Sequence, residues 1–193
     1  EIAEAAVLAK GFSATTTEEI VAEAKITKSG FLYHFQDKNQ LALGLIKRYL
    51  DNDRVIFDDI FNRAADLSDD PLQQLLIGLK LLAELLESIE DGHPGCMVAS
   101  ICYQERLFSR EVVASNREGI LEWRNRFIKI LETISQSYEL TDDVELVDLA
   151  DMITSSIEGG IVTAKALGEP LIIPRQLLLV RSYLKLLFTP KKH

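Results

Sequence analysis

Hydroxyl and cationic side chains gather in one short stretch of the chain, ITKSGFLYHFQDKNQL, at residues 26–41. The start of a helix leaves backbone N–H groups unpaired and carries a partial positive charge, so it attracts anions. Hydroxyl and ammonium groups bind backbone phosphates and the edges of bases. The stretch therefore predicts a surface for a nucleic acid. The residues at the predicted helix start are Thr27, Lys28, Ser29 and Gly30.

Three short helices are expected to position these side chains. Gly11 is a typical end for the first helix, and Thr16 followed by Glu19 has the spacing of a capping box that opens the second. Two short helices joined by a tight turn and braced by another form a helix-turn-helix. The predicted helices are residues 1–10, about 17–24 and about 28–35.

The apolar residues of these helices predict which faces point inward. The expected interior consists of Ile20, Ala24 and Ile26, closed by Phe12, Phe31 and Phe35. The second short helix then presents its first turn outward, and Gly30 lets it approach the floor of a groove. The residues expected to contact DNA are Thr27, Lys28, Ser29, Gly30, Tyr33 and His34, with Lys38 near a phosphate.

The charge of the chain is compatible with this interpretation only because it is unevenly distributed. The formal net charge of the 193 residues is −9, which by itself argues against a nucleic-acid partner. Residues 1–50, however, hold six basic and six acidic residues. Salt screens exposed charges beyond about 10 Å, so a local basic edge on an acidic body remains compatible with DNA.

The rest of the sequence predicts an all-α chain of about nine helices with a sizeable core, because 47% of its residues are hydrophobic. Strand-like alternation is absent from the pattern, and charges interrupt every long apolar run, which argues against a membrane span. Asp37 is the expected N-cap of a long helix. The predicted helices are about 38–66, 71–90, 95–108, 110–137, 142–167 and 174–188.

The few cysteines and histidines predict neither disulfides nor metal sites. Two cysteines make no disulfide framework, which favours a reducing, cytoplasmic compartment. Three scattered histidines have no metal-ligand spacing, and no cofactor is expected. An all-helical enzyme is the weaker hypothesis, because no catalytic triad, carboxylate pair or phosphate-binding glycine loop is evident.

The segment GFSATTTEEIVAEAKITKSGFLYHFQDKNQLALGLI resembles the DNA-binding domain of TetR-family transcriptional regulators over residues 1 to about 50. The agreement includes Gly11-Phe12, Tyr33-His34-Phe35 and Lys38, in register. Lys25 stands where the family usually has a turn glycine, so we expect it at positive φ. Leu32 stands where the family often has a phosphate-contacting tyrosine, so that contact is lost or moves to Tyr33.

The resemblance implies a homodimer that binds a palindromic DNA operator, usually to repress, and adds Thr16 and Thr17 to the predicted DNA contacts. It implies a DNA-binding domain at residues 1–46 and a ligand-binding and dimerisation domain at 47–193. A helical protein-interaction module that has lost DNA binding is the alternative that Lys25 and Leu32 keep open.

The family layout also suggests where the dimer forms, because small residues in the last two helices allow close helix approach. Intramolecular packing is the alternative for them. The predicted interface residues are Ser155, Ser156, Gly159, Gly160, Leu177, Val180 and Leu184.

Apolar and aromatic residues of the middle helices suit a small apolar or aromatic ligand, although each of them is equally compatible with ordinary core. The predicted pocket residues are Phe57, Phe61, Met97, Tyr103, Phe108, Trp123 and Phe127.

Cys96 is the candidate for a thiol sensor of oxidants or electrophiles. Pro94 and Gly95 predict a helix start, which places Cys96 in the first turn, where a thiol becomes more reactive. The alternative is that Cys96 and Cys102 are small core residues. Their six-residue separation places them on different faces of one helix, so a bridge between them is not expected.

Overall fold

The computed structural model describes residues 1–191, and their backbone is dominated by helix, which confirms the all-α prediction. Within these residues, no helix is long and apolar enough to cross a membrane. The elements are α1 Ile2–Ala14, α2 Thr17–Ala24, α3 Lys28–His34, α4 Lys38–Leu67, α5 Pro71–Glu87, α6 Met97–Cys102, a 3₁₀ turn Glu105–Leu107, α7 Arg110–Ser137, β1 Tyr138–Leu140, α8 Leu146–Leu167, α9 Ile172–Leu187 and β2 Phe188–Pro190.

Contacts within the chain define two compact units. The first combines Glu1–Arg54 with Pro94–Ile120. The second combines Val55–His93 with the chain from Leu121 onward. The division into a DNA-binding domain up to residue 46 and a regulatory domain after it concerns function, and it stays a prediction.

In the first unit, side-chain caps determine where the short helices begin. Thr16 Oγ1 accepts the backbone N–H of Glu19 at 3.2 Å, and Asp37 Oδ1 accepts that of Gln40 at 2.9 Å. Both predicted caps are therefore confirmed. Gly11 adopts φ 81° and leaves the helical conformation, but the chain resumes helix and α1 ends at Ala14 rather than at residue 10.

In the second unit, α5, α8 and α9 pack around a leucine-rich core that also includes residues of α7. Leu75, Leu79 and Phe127 are fully buried members of this core. A Cβ on Gly160 of α8 would lie 3.2 Å from the Cα of Ile173, so the glycine permits close approach of α9. The core extends to β2, which pairs antiparallel with β1.

Several predicted boundaries are wrong because tertiary contacts or local caps override the helical pattern. The helix expected at 95–108 is a short α6 that ends at Cys102, followed by a 3₁₀ turn. The helix expected from 142 begins at Leu146. The expectation of no strands fails for β1 and β2, each of three residues, too short to show alternation in a sequence.

Lys25, which stands where the family usually has a turn glycine, joins α2 to α3. It adopts the left-handed conformation, as predicted. Lys25 has φ 54° and ψ 39°, and is the one non-glycine residue of the described chain with positive φ. Its N–H donates to Ala22 O and the N–H of Ile26 donates to Val21 O, both at 3.2 Å. This pair of bonds is a Schellman motif, whose left-handed position glycine fills without strain.

Lys25→Gly is expected to stabilise the protein. A side chain at φ near +54° crowds the following carbonyl, which glycine avoids. Relative to Lys25→Ala, which also lacks the charge but keeps Cβ, we expect the free energy of unfolding to rise by about 1 kcal/mol. Chemical denaturation measures the difference. Equal stability of the two variants would contradict the assigned strain.

Candidate nucleic-acid interface

The polar residues predicted for α3 lie on its outer surface. Thr27, Lys28, Ser29 and His34 are exposed, and Tyr33 has 84% of its surface accessible. The ring centroids of Tyr33 and His34 are 5.1 Å apart in an edge-on arrangement. The residue that anchors this helix in the interior is Phe31, which is buried.

Two of the predicted contact residues already use their hydroxyl groups within the protein. Thr27 Oγ1 accepts the N–H of Gly30 at 3.0 Å, so Thr27 caps α3 as Thr16 caps α2. A Cβ on Gly30 would lie 3.2 Å from that hydroxyl oxygen. The absence of a side chain on Gly30 therefore leaves room for the Thr27 cap. It also means that no side chain projects from the outer surface of α3 at this position.

Lys28, the lysine in the first turn of α3, forms an ion pair within the protein. Lys28 Nζ lies 2.8 Å from Glu18 Oε1, and about two thirds of each side chain is exposed. The hydrogen bond from Lys28 holds the pKa of the Glu18 carboxyl below its usual value. Exposed pairs of this kind contribute little to stability, so an incoming phosphate can replace the carboxylate. Nothing in the sequence spacing pointed to Glu18.

A second carboxylate of α2 ties this helix to α1. Lys10 Nζ and Glu19 Oε2 are 2.5 Å apart, and the hydrogen bond from Lys10 lowers the pKa of Glu19. Lys38, expected near a phosphate, directs its Nζ to Phe12 O at 3.4 Å and keeps an exposed side chain. Thr17 is half-buried at the start of α2.

One member of the predicted interior is placed differently. Phe12, Ile20 and Phe31 are buried as expected, but Ile26 is 47% exposed. The left-handed residue before it turns the chain outward, which a helical or linear pattern does not reveal. Leu32, where the family often has a tyrosine, is also exposed.

A polar and aromatic brace holds the end of α1 from a distant part of the sequence. Gln104 Oε1 accepts both the N–H of Ser13 at 3.2 Å and its Oγ–H at 3.0 Å. The rings of Phe12 and Phe108 meet edge-on with centroids 4.8 Å apart. Sequence reasoning missed Gln104, because its partners lie about ninety positions earlier in the chain.

Four of the seven predicted pocket residues form one cluster in the second unit. Phe57 stacks on Phe61 at 4.3 Å and meets Trp123 edge-on at 5.3 Å between ring centroids. Phe127 contacts all three rings at centroid distances of 5.5 to 6.1 Å. The guanidinium of Arg126 lies 4.8 Å from the centre of the Phe57 ring.

The other three predicted pocket residues do not join that cluster. Tyr103 is 81% exposed, so it is not part of an apolar interior. Met97 is fully buried, and Phe108 packs on Phe12, both within the first unit. Their aromatic or apolar character reflects local packing there.

The apolar residues of α9 divide into a buried face and an exposed face. Leu177, Val180 and Leu184 belong to the core, which corrects their assignment to a dimer interface. The outward face of α9 instead carries Leu179 and Leu186, 62% and 78% exposed. The pattern of leucines in this helix did not reveal which face points inward.

The small residues of α8 divide in the same way. Ser155 and Gly159 are exposed, Ser156 is half-buried and Gly160 is buried. A Cβ on Gly159 would meet nothing within 4 Å, in contrast to Gly160. An exposed stripe of α8 therefore continues at helical spacing from Ser155 through Gly159 to Val162.

The two cysteines differ from the sequence-based expectation. Cys96 is the N-cap of α6 rather than part of its first turn, and its sulfur accepts the N–H of Ala99 at 3.4 Å. Its side chain is buried, which opposes its role as an accessible sensor. Cys102, the last residue of α6, is exposed, and neither thiol is in a disulfide.

The arrangement of α1, α2 and α3 is that of a helix-turn-helix DNA-binding protein. Residues 1–45 match the model of the family described as bacterial regulatory proteins, tetR family. Among curated proteins, transcriptional regulator AcuR of Cereibacter sphaeroides is 26% identical over 157 residues, which cover 81% of this chain and 69% of AcuR.

Solved structures share the fold over nearly the whole chain. A TetR-family regulator from Agrobacterium tumefaciens has a TM-score of 0.77 at 17% identity, covering 97% of this chain and 94% of its own. The regulatory protein TetR from Rhodobacter sphaeroides has a TM-score of 0.74 at 23% identity and 97% coverage of both chains. The reduced form of E. coli NemR has a TM-score of 0.78 at 14% identity, covering 100% and 95%. The match at residues 1–45 thus identifies the DNA-binding region of a tetR-family regulator, and the likenesses to solved structures show that the whole chain has the fold of such regulators.

Proposed function

We propose that the protein is a homodimeric repressor that inserts α3 into the major groove of a palindromic operator and leaves it when a small ligand binds. The supporting observation is that Lys28, Ser29 and Tyr33 point outward from a helix anchored by Phe31. Two such helices, related by a two-fold axis, would reach successive major grooves about 34–36 Å apart. Residues 1–46 would bind DNA and 47–193 would sense and dimerise, in the cytoplasm.

Contact with DNA requires Lys28 to exchange its partner. In the free protein its ammonium group pairs with Glu18, and on the operator it would pair with a phosphate. The displaced carboxylate would then be repelled by the DNA backbone, which limits binding to sequences that supply additional base contacts. Thr27, Ser29, Tyr33 and His34 are the residues we assign to those contacts.

The dimer is proposed to form through the exposed faces of α8 and α9. Leu179 and Leu186 of α9 are large apolar residues exposed to solvent. On α8, a Cβ on Gly159 would meet no atom within 4 Å, so this position is open to a partner helix. A small-residue stripe on one helix and a leucine face on the next suit a four-helix bundle across a two-fold axis.

The ligand is proposed to bind at the cluster of Phe57, Phe61, Trp123 and Phe127. Edge-on and stacked rings offer apolar walls for a small apolar or aromatic molecule. Arg126 lies against this cluster and bonds to Asp58, so a ligand there would disturb an ion pair as well as the ring packing.

Operator binding is expected to depend on Lys28 and Tyr33. Replacing both by Ala should abolish the shift of the protein's own promoter DNA in a gel, because a phosphate partner and an exposed ring are lost. For Lys28→Ala alone, the slope of log affinity against log salt should fall by about 1 per lysine, hence by about 2 per dimer.

Lys80→Ala is the matched control, since Lys80 is an exposed lysine that pairs with a glutamate of its own helix. It should leave the affinity unchanged. Unaltered DNA binding by Lys28→Ala/Tyr33→Ala would refute the contact assignment. A protein that binds no promoter fragment in any form would favour the interaction-module hypothesis.

Charges placed on the outward face of α9 are expected to separate the protomers. Leu179→Glu/Leu186→Glu would bury four carboxylates in an apolar interface, so the protein should sediment as a folded monomer. Leu67→Glu alters an equally exposed leucine at the end of α4 and should remain dimeric. A dimeric double variant would show that the protomers associate through another surface.

Trp123 provides a direct readout of ligand binding, because it is the only tryptophan of the chain. A small aromatic compound that releases the protein from DNA should change the Trp123 emission at the same concentration. Phe61→Leu, which keeps an apolar side chain but removes a stacked ring, should weaken that compound's affinity. The opposite result is a compound that releases the protein from DNA without changing the Trp123 emission and that binds the Phe61→Leu variant as tightly as the wild type. That result would show that the pocket lies elsewhere.

A further inference from the structure

Cys102 ends α6 with an exposed thiol whose sulfur has a buried polar neighbour. Asn116 on α7 has only 4% of its surface accessible, and its Nδ2 lies 3.3 Å from both Val98 O and Cys102 Sγ. The carbonyl oxygen of Val98 can only accept, so the nitrogen side of the amide must face it. The hydrogen-bond network thereby determines the orientation of Asn116.

The other end of the same amide lacks a donor. Within the described residues 1–191, no group donates a hydrogen bond to Asn116 Oδ1. Buried polar atoms are nearly always satisfied, so an exception of this kind requires an explanation, and a redox role is one of those known. Because Oδ1 and Nδ2 share one carbon atom, this acceptor lies at the end of the side chain that reaches the cysteine.

We propose that Cys102 is a site of oxidation by a hydroperoxide, and that the buried Asn116 amide oxygen accepts a hydrogen bond from the resulting sulfenic acid. A sulfenic acid adds an O–H group to the sulfur, which is the type of donor that Oδ1 lacks. Cys102 is an exposed residue, whereas Cys96 is buried at the start of α6.

The reaction needs no group beyond the peroxide. The thiol loses its proton to water, and a sulfur lone pair attacks one peroxide oxygen as the O–O bond breaks. The leaving hydroxide or alkoxide takes up a proton and becomes water or an alcohol. Sulfur loses two electrons, which the peroxide gains, and an added thiol reverses the change.

The location of Cys102 connects this chemistry to the DNA-binding helices of the same compact unit. Gln104 follows Cys102 by two residues and accepts both hydrogen bonds from Ser13 at the end of α1. Gly11 approaches the same side chain so closely that a Cβ there would lie 2.9 Å from Gln104 Nε2. A new oxygen atom on Cys102 would therefore shift the segment that supports α1.

The regulatory consequence rests on the proposed function. If α1 to α3 bind the operator, oxidation of Cys102 should reduce operator affinity about fivefold or more, the lower range of allosteric couplings. The affinity should return after treatment with dithiothreitol.

The test treats the full-length protein with hydrogen peroxide or an organic hydroperoxide in separate arms, traps sulfenic acid with dimedone, and locates the label by mass spectrometry. The label is expected on Cys102 and not on Cys96, from either peroxide. Asn116→Leu, similar in volume but without the acceptor, should shorten the lifetime of the sulfenic acid. Label on Cys96, or on neither cysteine, would overturn the proposal.

Fluorescence anisotropy with promoter DNA tests the coupling. Wild type and Cys96→Ser should lose affinity on oxidation, while Cys102→Ser should bind normally and not respond. An equal loss in Cys102→Ser, or labelled Cys102 with unchanged affinity, would overturn the coupling. A protein labelled at Cys102 that binds no DNA even when reduced would refute the proposed function and leave the oxidation site established.

Discussion

The direction of α3 depends on a single left-handed residue. The Schellman motif at Lys25 ends α2, and two residues later the hydroxyl of Thr27 begins α3. Only Lys25 and Ile26 lie between the end of α2 and the Thr27 cap of α3. Ile20 of α2 and Phe31 of α3 are both buried, so each helix is anchored in the interior by an apolar side chain. The polar surface of α3 is therefore a consequence of how the turn is closed.

The same turn contains a locally strained residue, Lys25. Lysine is a poor residue for positive φ, yet here it adds a cation beside a surface that has few. Acidic residues nearby balance the charge of two other lysines, since Glu18 pairs with Lys28 and Glu19 pairs with Lys10. In a chain with net charge −9, these exposed ion pairs neutralise Lys10 and Lys28 in the free protein.

The support of α1 comes from residues far along the chain. Gln104 and Phe108 belong to the stretch that joins α6 to α7, and they contact Ser13 and Phe12. A further bond joins the N–H of Ser109 to Asn39 Oδ1 at 2.7 Å, which ties the start of α7 to α4. The DNA-binding helices thus share a compact unit with the segment that carries Asn116 and Cys102. A few identified contacts therefore connect that segment to α1.

The sequence by itself determined the helical class, the caps at Thr16 and Asp37, the positive φ of Lys25 and the outward position of Lys28 and Tyr33. These features depend on neighbours a few residues away, whose chemistry is written locally in the chain. Only the tertiary structure decided that Leu177 and Leu184 face the core while Leu179 and Leu186 face solvent, because a leucine-rich helix can bury either side. It also decided that Cys96 is covered and Cys102 open, and that Gln104 reaches Ser13. Those outcomes depend on which distant segments pack together, and no local pattern encodes that choice.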